Sequence, residues 1–330
     1  MRVEQAIYGE SRGGHGLRMA SSDDPIISVL TSRLDLPDTA PPGVNWSPFV
    51  SGFPYREYYV LARTFADPTA TRPGMVLSHA VIAMRDDVIK MPDLRPLFKM
   101  LLTEPTMPDV LVACELPQLA EPLEPTPELI SLANVLGTRG KGPVIRFGLQ
   151  NFDELIASLW IHLWPEVRSN FSFRLSFGPQ DIIDEITPTV ICTPSALASR
   201  WATYRILGKH VQSPSLAAGI LCGEEKATTV MELAQQVGAK IYQFSDLSLL
   251  QRIYEIDKHS NPQFSECVSA LRILEKLSPN PTVGVARKNI FIQRFEAQLS
   301  SASVQDILLL RNLVTSGLPD ATIIWDSLRD

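Results

Sequence analysis

Five residues carry most of the chemistry this sequence can offer: Arg12, His15, Arg63, Arg72 and His79. His15 lies in the run Gly13-Gly14-His15-Gly16, and His79 follows Ser78 inside the apolar stretch 75–83. An imidazole that titrates near neutrality, set beside a hydroxyl or thiol, is the minimum equipment of a hydrolase. Ser11, Ser78 and Cys114 are the available nucleophiles. No Gly-x-Ser-x-Gly or His-Glu-x-x-His pattern accompanies them, so this enzymatic reading stands as the alternative. A histidine inside an apolar strand is ordinarily a hydrogen-bonded structural group, and that is the weightier expectation for His79. His162, His210 and His259 occur singly and read as structural.

The arginines suggest binding rather than reaction. Arg12, Arg18, Arg56, Arg63 and Arg72 are spread along the N-terminal region. A guanidinium fork matches carboxylate and phosphate oxygens, so Arg12, His15, Arg63, Arg72 and His79 are taken as partner-binding candidates. Scattered, solvated charge is the plainer account of the same residues. Trp160, Trp164 and Arg168 have the spacing of one helix face, but Pro165 interrupts it; core packing is expected for both tryptophans.

Two glycine-rich runs invite a phosphate-binding reading and fail it. Gly13–Gly16 lacks the lysine and Ser/Thr of a P-loop. In Gly137-Thr-Arg-Gly-Lys-Gly142 the lysine precedes the last glycine. That run sits between a helix and a strand, the reverse of the P-loop order. No cofactor and no metal are expected. The four cysteines, Cys114, Cys192, Cys222 and Cys267, form no Cys-x-x-Cys pair and read as free thiols.

The elements that position these residues follow from periodicity. Residues 3–8 alternate as a strand, the glycines provide a tight turn, and 17–20 is the return strand. Ser21 or Ser22 is the expected N-cap of a helix through about Leu34, with Asp23, Asp24 and Pro25 in its first turn. The prolines and glycines between Leu36 and Pro54 mark an irregular loop, packed through Trp46, Phe49 and Phe53. Residues 57–65 and 75–83 form a long hairpin, and a helix covers 94–102. Farther on, a helix over 126–136, a strand at 144–147 and a helix over 152–163 are expected. Phe171, Phe173, Leu175 and Phe177 alternate on one strand face. A short helix near 181–185 and a strand at 189–192 complete an α/β layer with partly parallel strands. Helical spacing then recurs at 215–222, 228–237, 245–257, 263–277, 287–299 and 303–316, and Ile323-Ile324-Trp325 suggests a terminal docking segment.

The expected class is α+β: a mixed-sheet domain over 1–116, a small α/β domain over 117–213 and a helical region over 214–330. With 45% hydrophobic and 20% charged residues the 330-residue chain has ordinary globular composition. Its net charge of −6 argues against a general nucleic-acid or anionic-membrane surface. No signal peptide or apolar run of membrane-spanning length is evident, and a cytoplasmic location is expected.

Three stretches together resemble a known family. They are Val3-Glu-Gln-Ala-Ile-Tyr-Gly-Glu10 with Gly13-Gly14-His15 and Ser21; Tyr59 to Ile82 with Arg63-Thr64, Asp67, Arg72-Pro-Gly74 and Ser78-His79; and Leu163-Trp-Pro-Glu-Val-Arg168 with Phe171-Ser-Phe173. Over roughly residues 1–200 the chain resembles the N-terminal and middle domains of the GTPase-associated protein family of bacterial NTP-dependent conflict systems. The resemblance implies a non-enzymatic adaptor or scaffold encoded beside a GTPase or other NTPase, in loci that serve phage defence. It implies protein partners from the same locus and a hetero-oligomer. The hairpin is similar, more faintly, to longin-type domains that bind small GTPases.

Overall fold

A computed structural model describes residues 1–37, 39–116, 124–138, 140, 142–182, 187–208, 213–320, 322 and 325. The opening alternation becomes β1 (Arg2–Ser11), paired antiparallel with β2 (Gly14–Ala20). Only Arg12 and Gly13 lie between the paired ends Ser11 and Gly14. Their φ values, 49° and 82°, are both left-handed. That is the type I′ geometry, whose twist suits a two-residue hairpin.

The expected helix after Ser22 is shorter and starts later. The Ser21 hydroxyl is taken by the sheet, donating to Glu4 Oε2 at 2.6 Å and accepting from the Gln5 amide at 2.8 Å. Asp24 caps α1 (Pro25–Val29) instead, accepting from the Ile26 amide at 3.0 Å. A 3-10 turn over Thr31–Arg33 follows.

The predicted loop 36–54 hides a strand, β3 (Phe49–Tyr55). Pro48, Gly52 and Pro54 obscure its pattern in sequence. It pairs along its length with β4 (Tyr58–Ala66), which pairs antiparallel with β5 (Val76–Met84) as the hairpin required. Two short helices follow, α2 (Arg85–Val88) and α3 (Arg95–Met100), and then β6 (Cys114–Glu115), which pairs with β1. Next come α4 (Pro127–Gly137), β7 (Val144–Phe147), α5 (Phe152–Ile161), α6 (Pro165–Arg168), β8 (Phe173–Leu175), β9 (Val190–Thr193) and β10 (Arg205–Ile206). The run 181–185 contributes the end of a 3-10 turn, Pro179–Asp181, and its cap Ile182, while 183–185 lie outside the described residues.

The ten strands among the described residues join one mixed sheet in the order β10-β7-β9-β8-β3-β4-β5-β1-β2, with β6 on β1. The members β7, β8, β9 and β10 pair parallel among themselves, as the alternating pattern suggested. A boundary near 116 therefore does not separate two sheets, because β8 pairs with β3 through Gly52 and Phe173. A Cβ on Gly52 would sit 2.4 Å from the Phe173 ring and 2.7 Å from Leu61 Cδ2. Only glycine permits this join. Residues 1–135 and 140–212 form one compact unit, and 136–139 with 213–330 form the other. Pro117 and Pro122, just past the expected boundary, lie outside the described residues.

The two faces of the first unit's sheet bury different sets. On one, α1 and the 3-10 turn cover Ala6, Tyr8, Val60, Ala62, Ala80 and Ile82 with Ile26, Ile27, Leu30 and Leu34. On the other, Tyr59, Trp160, Phe171, Phe173, Phe152 and Phe98 form a chain of ring contacts at centroid distances of 5.6–6.3 Å. Edge-to-face contacts of this kind add to the burial energy. Arg168 stacks 5.3 Å from the Trp160 ring, although α5 and α6 are separate helices.

The described residues of the second unit are helical: α7 (Leu216–Cys222), α8 (Thr228–Val237), α9 (Ser245–Lys258), α10 (Phe264–Leu277), α11 (Val285–Leu299) and α12 (Val304–Leu308). Ser303 and Asp306 form a capping box at the start of α12, whereas α8 begins from a 3-10 turn with Ala227 at its N-cap. Lys288 is fully buried and donates to the carbonyls of Ser278, Asn280 and Gly317 at 2.7, 2.7 and 2.8 Å. Of the suggested docking segment, Ile323 and Ile324 lie outside the described residues.

Candidate functional site

The five candidates fall at three levels of one sheet rather than around one centre. Arg63 and His79 are cross-strand partners on β4 and β5. Both point to the face away from α1, because neighbours along a strand alternate sides. His79 is 1% exposed, and its Nδ1 accepts the Leu102 amide proton at 3.0 Å. Accepting at Nδ1 places the neutral ring's proton on Nε2. Burial, reinforced by the Arg63 guanidinium, pushes the His79 pKa down to about 4. Arg63 donates to the Leu102 carbonyl at 3.1 Å and to Asp153 Oδ2 at 2.8 Å. Together they hold both sides of Leu102, at the exit from α3, and tie β4 to α5. Neither is placed as a surface contact: the His79 ring is enclosed, and Arg63 is spent on Leu102 and Asp153.

His79 also cannot use its neighbour as a nucleophile. Ser78 points to the opposite face, where its hydroxyl lies 2.8 Å from Thr64 Oγ1 and donates to the Leu34 carbonyl at 2.6 Å. Cys114 lies 3.8 Å from the Met100 sulfur, and burial together with Glu115 pushes its thiol pKa up. No histidine–hydroxyl or histidine–thiol hydrogen bond joins any of the named groups.

His15 stands on β2 opposite Glu10. Its side chain is 5% exposed, and neither ring nitrogen has a hydrogen-bond partner. Its Nδ1 lies 3.7 Å from Asp35 Oδ1. Burial lowers its pKa, opposed by the Asp35 charge. The segment after α1, through Asp35, covers the ring.

Arg12 and Arg72 occupy the outer end of the sheet. Arg12 is exposed at the I′ turn. Arg72, on the β4–β5 connection, donates to the Gly13 carbonyl at 2.6 Å. The Thr71 amide donates to Glu10 Oε2 at 2.6 Å, and its hydroxyl donates to Oε1. These bonds lower the Glu10 pKa. The two turns are thus clasped into one tip bearing Arg12, Arg72 and Glu10. Behind it, Arg18 faces Asp67 at 3.6 Å. The tip is polar, exposed and internally braced.

The sequence reading missed a cleft of about 700 Å³ in the same unit, lined by Arg33, Asp35, Phe53, Arg56, Arg85 and Ser172 among others. It was invisible in sequence because β3 and β8, which floor it, are far apart along the chain. Among the described residues no group of three His, Cys, Asp or Glu is placed to hold a metal ion. No described helix is long and apolar enough to cross a membrane. His210, Arg139 and Lys141 lie outside the described residues.

No curated protein matches the chain. Residues 2–101, which run from β1 through α3 and hold all five candidates, match the family described as GTPase-associated protein 1, N-terminal domain type 1, so the resemblance read from the motifs is met over this stretch.

Proposed function

We propose that this protein is a non-enzymatic adaptor that engages a GTPase or a related NTPase, as a subunit of a bacterial anti-phage defence complex. The single observation carrying this reading is the GTPase-associated match over residues 2–101. The clasped tip supports it from geometry. Arg12 and Arg72 lie on a rigid, exposed corner, where guanidinium groups meet carboxylates of a partner at low ordering cost.

Identifying the genes on either side of this one and co-expressing the chain with any NTPase among them tests the reading. A stable complex is expected, weakened by Arg12→Glu with Arg72→Glu while circular dichroism and thermal unfolding stay as in the parent. Loss of phage resistance should follow deletion of the gene. A chain that purifies alone in the presence of the neighbour, and whose deletion leaves resistance intact, would refute the proposal.

A further inference from the structure

The cleft noted above lies where α1 and its 3-10 turn stop covering the sheet. Ser51, Phe53 and Tyr55 of β3, Thr64 of β4, and Ser172 and Arg174 beside or within β8 line its floor. Residues 32–37 and Gln180–Asp181 line it as well. Its volume of about 700 Å³ is that of a small-molecule site.

Three features point to the ligand's chemistry. First, the described lining carries four arginines, Arg33, Arg56, Arg85 and Arg174, against two aspartates, in a chain of net charge −6. One of the two, Asp181, is already bound by the Ser176 hydroxyl, the Phe177 amide and the Thr39 hydroxyl at 2.6–2.9 Å. Second, two of the cations are held in place and the backbone of a third is anchored beside them. The Arg33 and Arg56 guanidinium carbons lie 5.0 and 5.6 Å from the Tyr55 ring centroid. Arg85 is rooted at the same end, because its amide donates to the Glu57 carbonyl at 2.7 Å in the β3–β4 turn. Third, Ser172 lines the cleft and is 4% exposed, and its buried hydroxyl has no hydrogen-bond partner. A buried hydroxyl without a partner costs free energy that a ligand oxygen would recover.

We infer that this cleft binds a small polyanion, an organic phosphate or a polycarboxylate. Its anionic oxygens meet Arg56 and Arg85, and a further oxygen bonds the Ser172 hydroxyl. The inference is independent of the adaptor reading, since the cleft lies away from the Arg12–Arg72 tip and neither arginine of the tip lines it.

Titration calorimetry and thermal unfolding of the full chain, with pyrophosphate and citrate as probes at matched ionic strength, test it. Saturable binding of at least one probe is expected, with a rise in melting temperature. Pyrophosphate alone would assign the phosphate class and citrate alone the carboxylate class. The double variant Arg56→Ala, Arg85→Ala should weaken binding at least about tenfold, since charge-assisted hydrogen bonds are lost. Ser172→Ala should weaken it by a smaller factor. If the double variant unfolds, Arg56→Glu alone carries the same expectation. The inference is overturned if neither probe binds saturably, or if the arginine variants bind as the parent does.

Discussion

Acidification should weaken this fold through His79, by an amount the structure sets. The ring is buried and neutral, with its pKa pushed down to about 4, whereas in the unfolded chain it returns to about 6.5. As pH falls through that window the unfolded chain binds the proton first, so native stability declines with pH. The two pKa values give a loss of about 2 kcal/mol by about pH 5, approaching about 3 kcal/mol near pH 4. The full contribution is present above about pH 6.5. His79→Asn keeps an acceptor near the Leu102 amide but cannot titrate. His79→Leu removes the acceptor, strands a buried amide and should cost about 1–3 kcal/mol at neutral pH. Urea unfolding of all three proteins from neutral pH to about pH 4.5 separates these effects. His15 and His162, whose pKa values burial also lowers, are present in each protein and cancel in the differences. The parent should lose about 2 kcal/mol more than either variant by about pH 5. A stability gap that stays constant across the window would refute the buried, neutral imidazole, and a parent that gains on acidification would reverse its sign.

Other substitutions probe other parts of the fold. Gly52→Ala drives a methyl into the Phe173 ring where β3 meets β8, and should lower stability by about 1–3 kcal/mol in urea unfolding. Lys288→Met leaves the Ser278, Asn280 and Gly317 carbonyls without their shared donor; a loss of about 3 kcal/mol or more is expected, read as a lower thermal midpoint. Arg72→Ala removes an exposed bond to the Gly13 carbonyl and should change stability by less than about 1 kcal/mol, while loosening the tip in hydrogen exchange at Gly13 and Gly14.

Much of the first unit was legible along the chain. The β4–β5 hairpin is readable because strands buried on both faces are short, nearly continuous apolar runs, and a Pro73-Gly74 turn closes it. The I′ turn needs left-handed backbone at two successive positions, and Gly13 meets one of them. The helical spacing after 213 carried the second unit's helices to within a few residues, except at α12, where only Val304–Leu308 is helical. That Ser78 and His79 cannot act together emerges once both sit on β5, where adjacent residues face opposite sides, so the sequence's offer of Ser78 as a nucleophile beside His79 fails. What it could not decide was which distant segment would cover each face. Leu102 as the partner of Arg63 and His79, the segment over His15, and the meeting of β3 with β8 at Gly52 are long-range pairings with no local signature. Prolines and glycines make β3 read as loop, yet its pairing with β4 and the space for the Phe173 ring make it a strand. Local periodicity encodes that a face is buried; only the assembled sheet decides what buries it, and so where the polar groups end as struts and where they line a cleft.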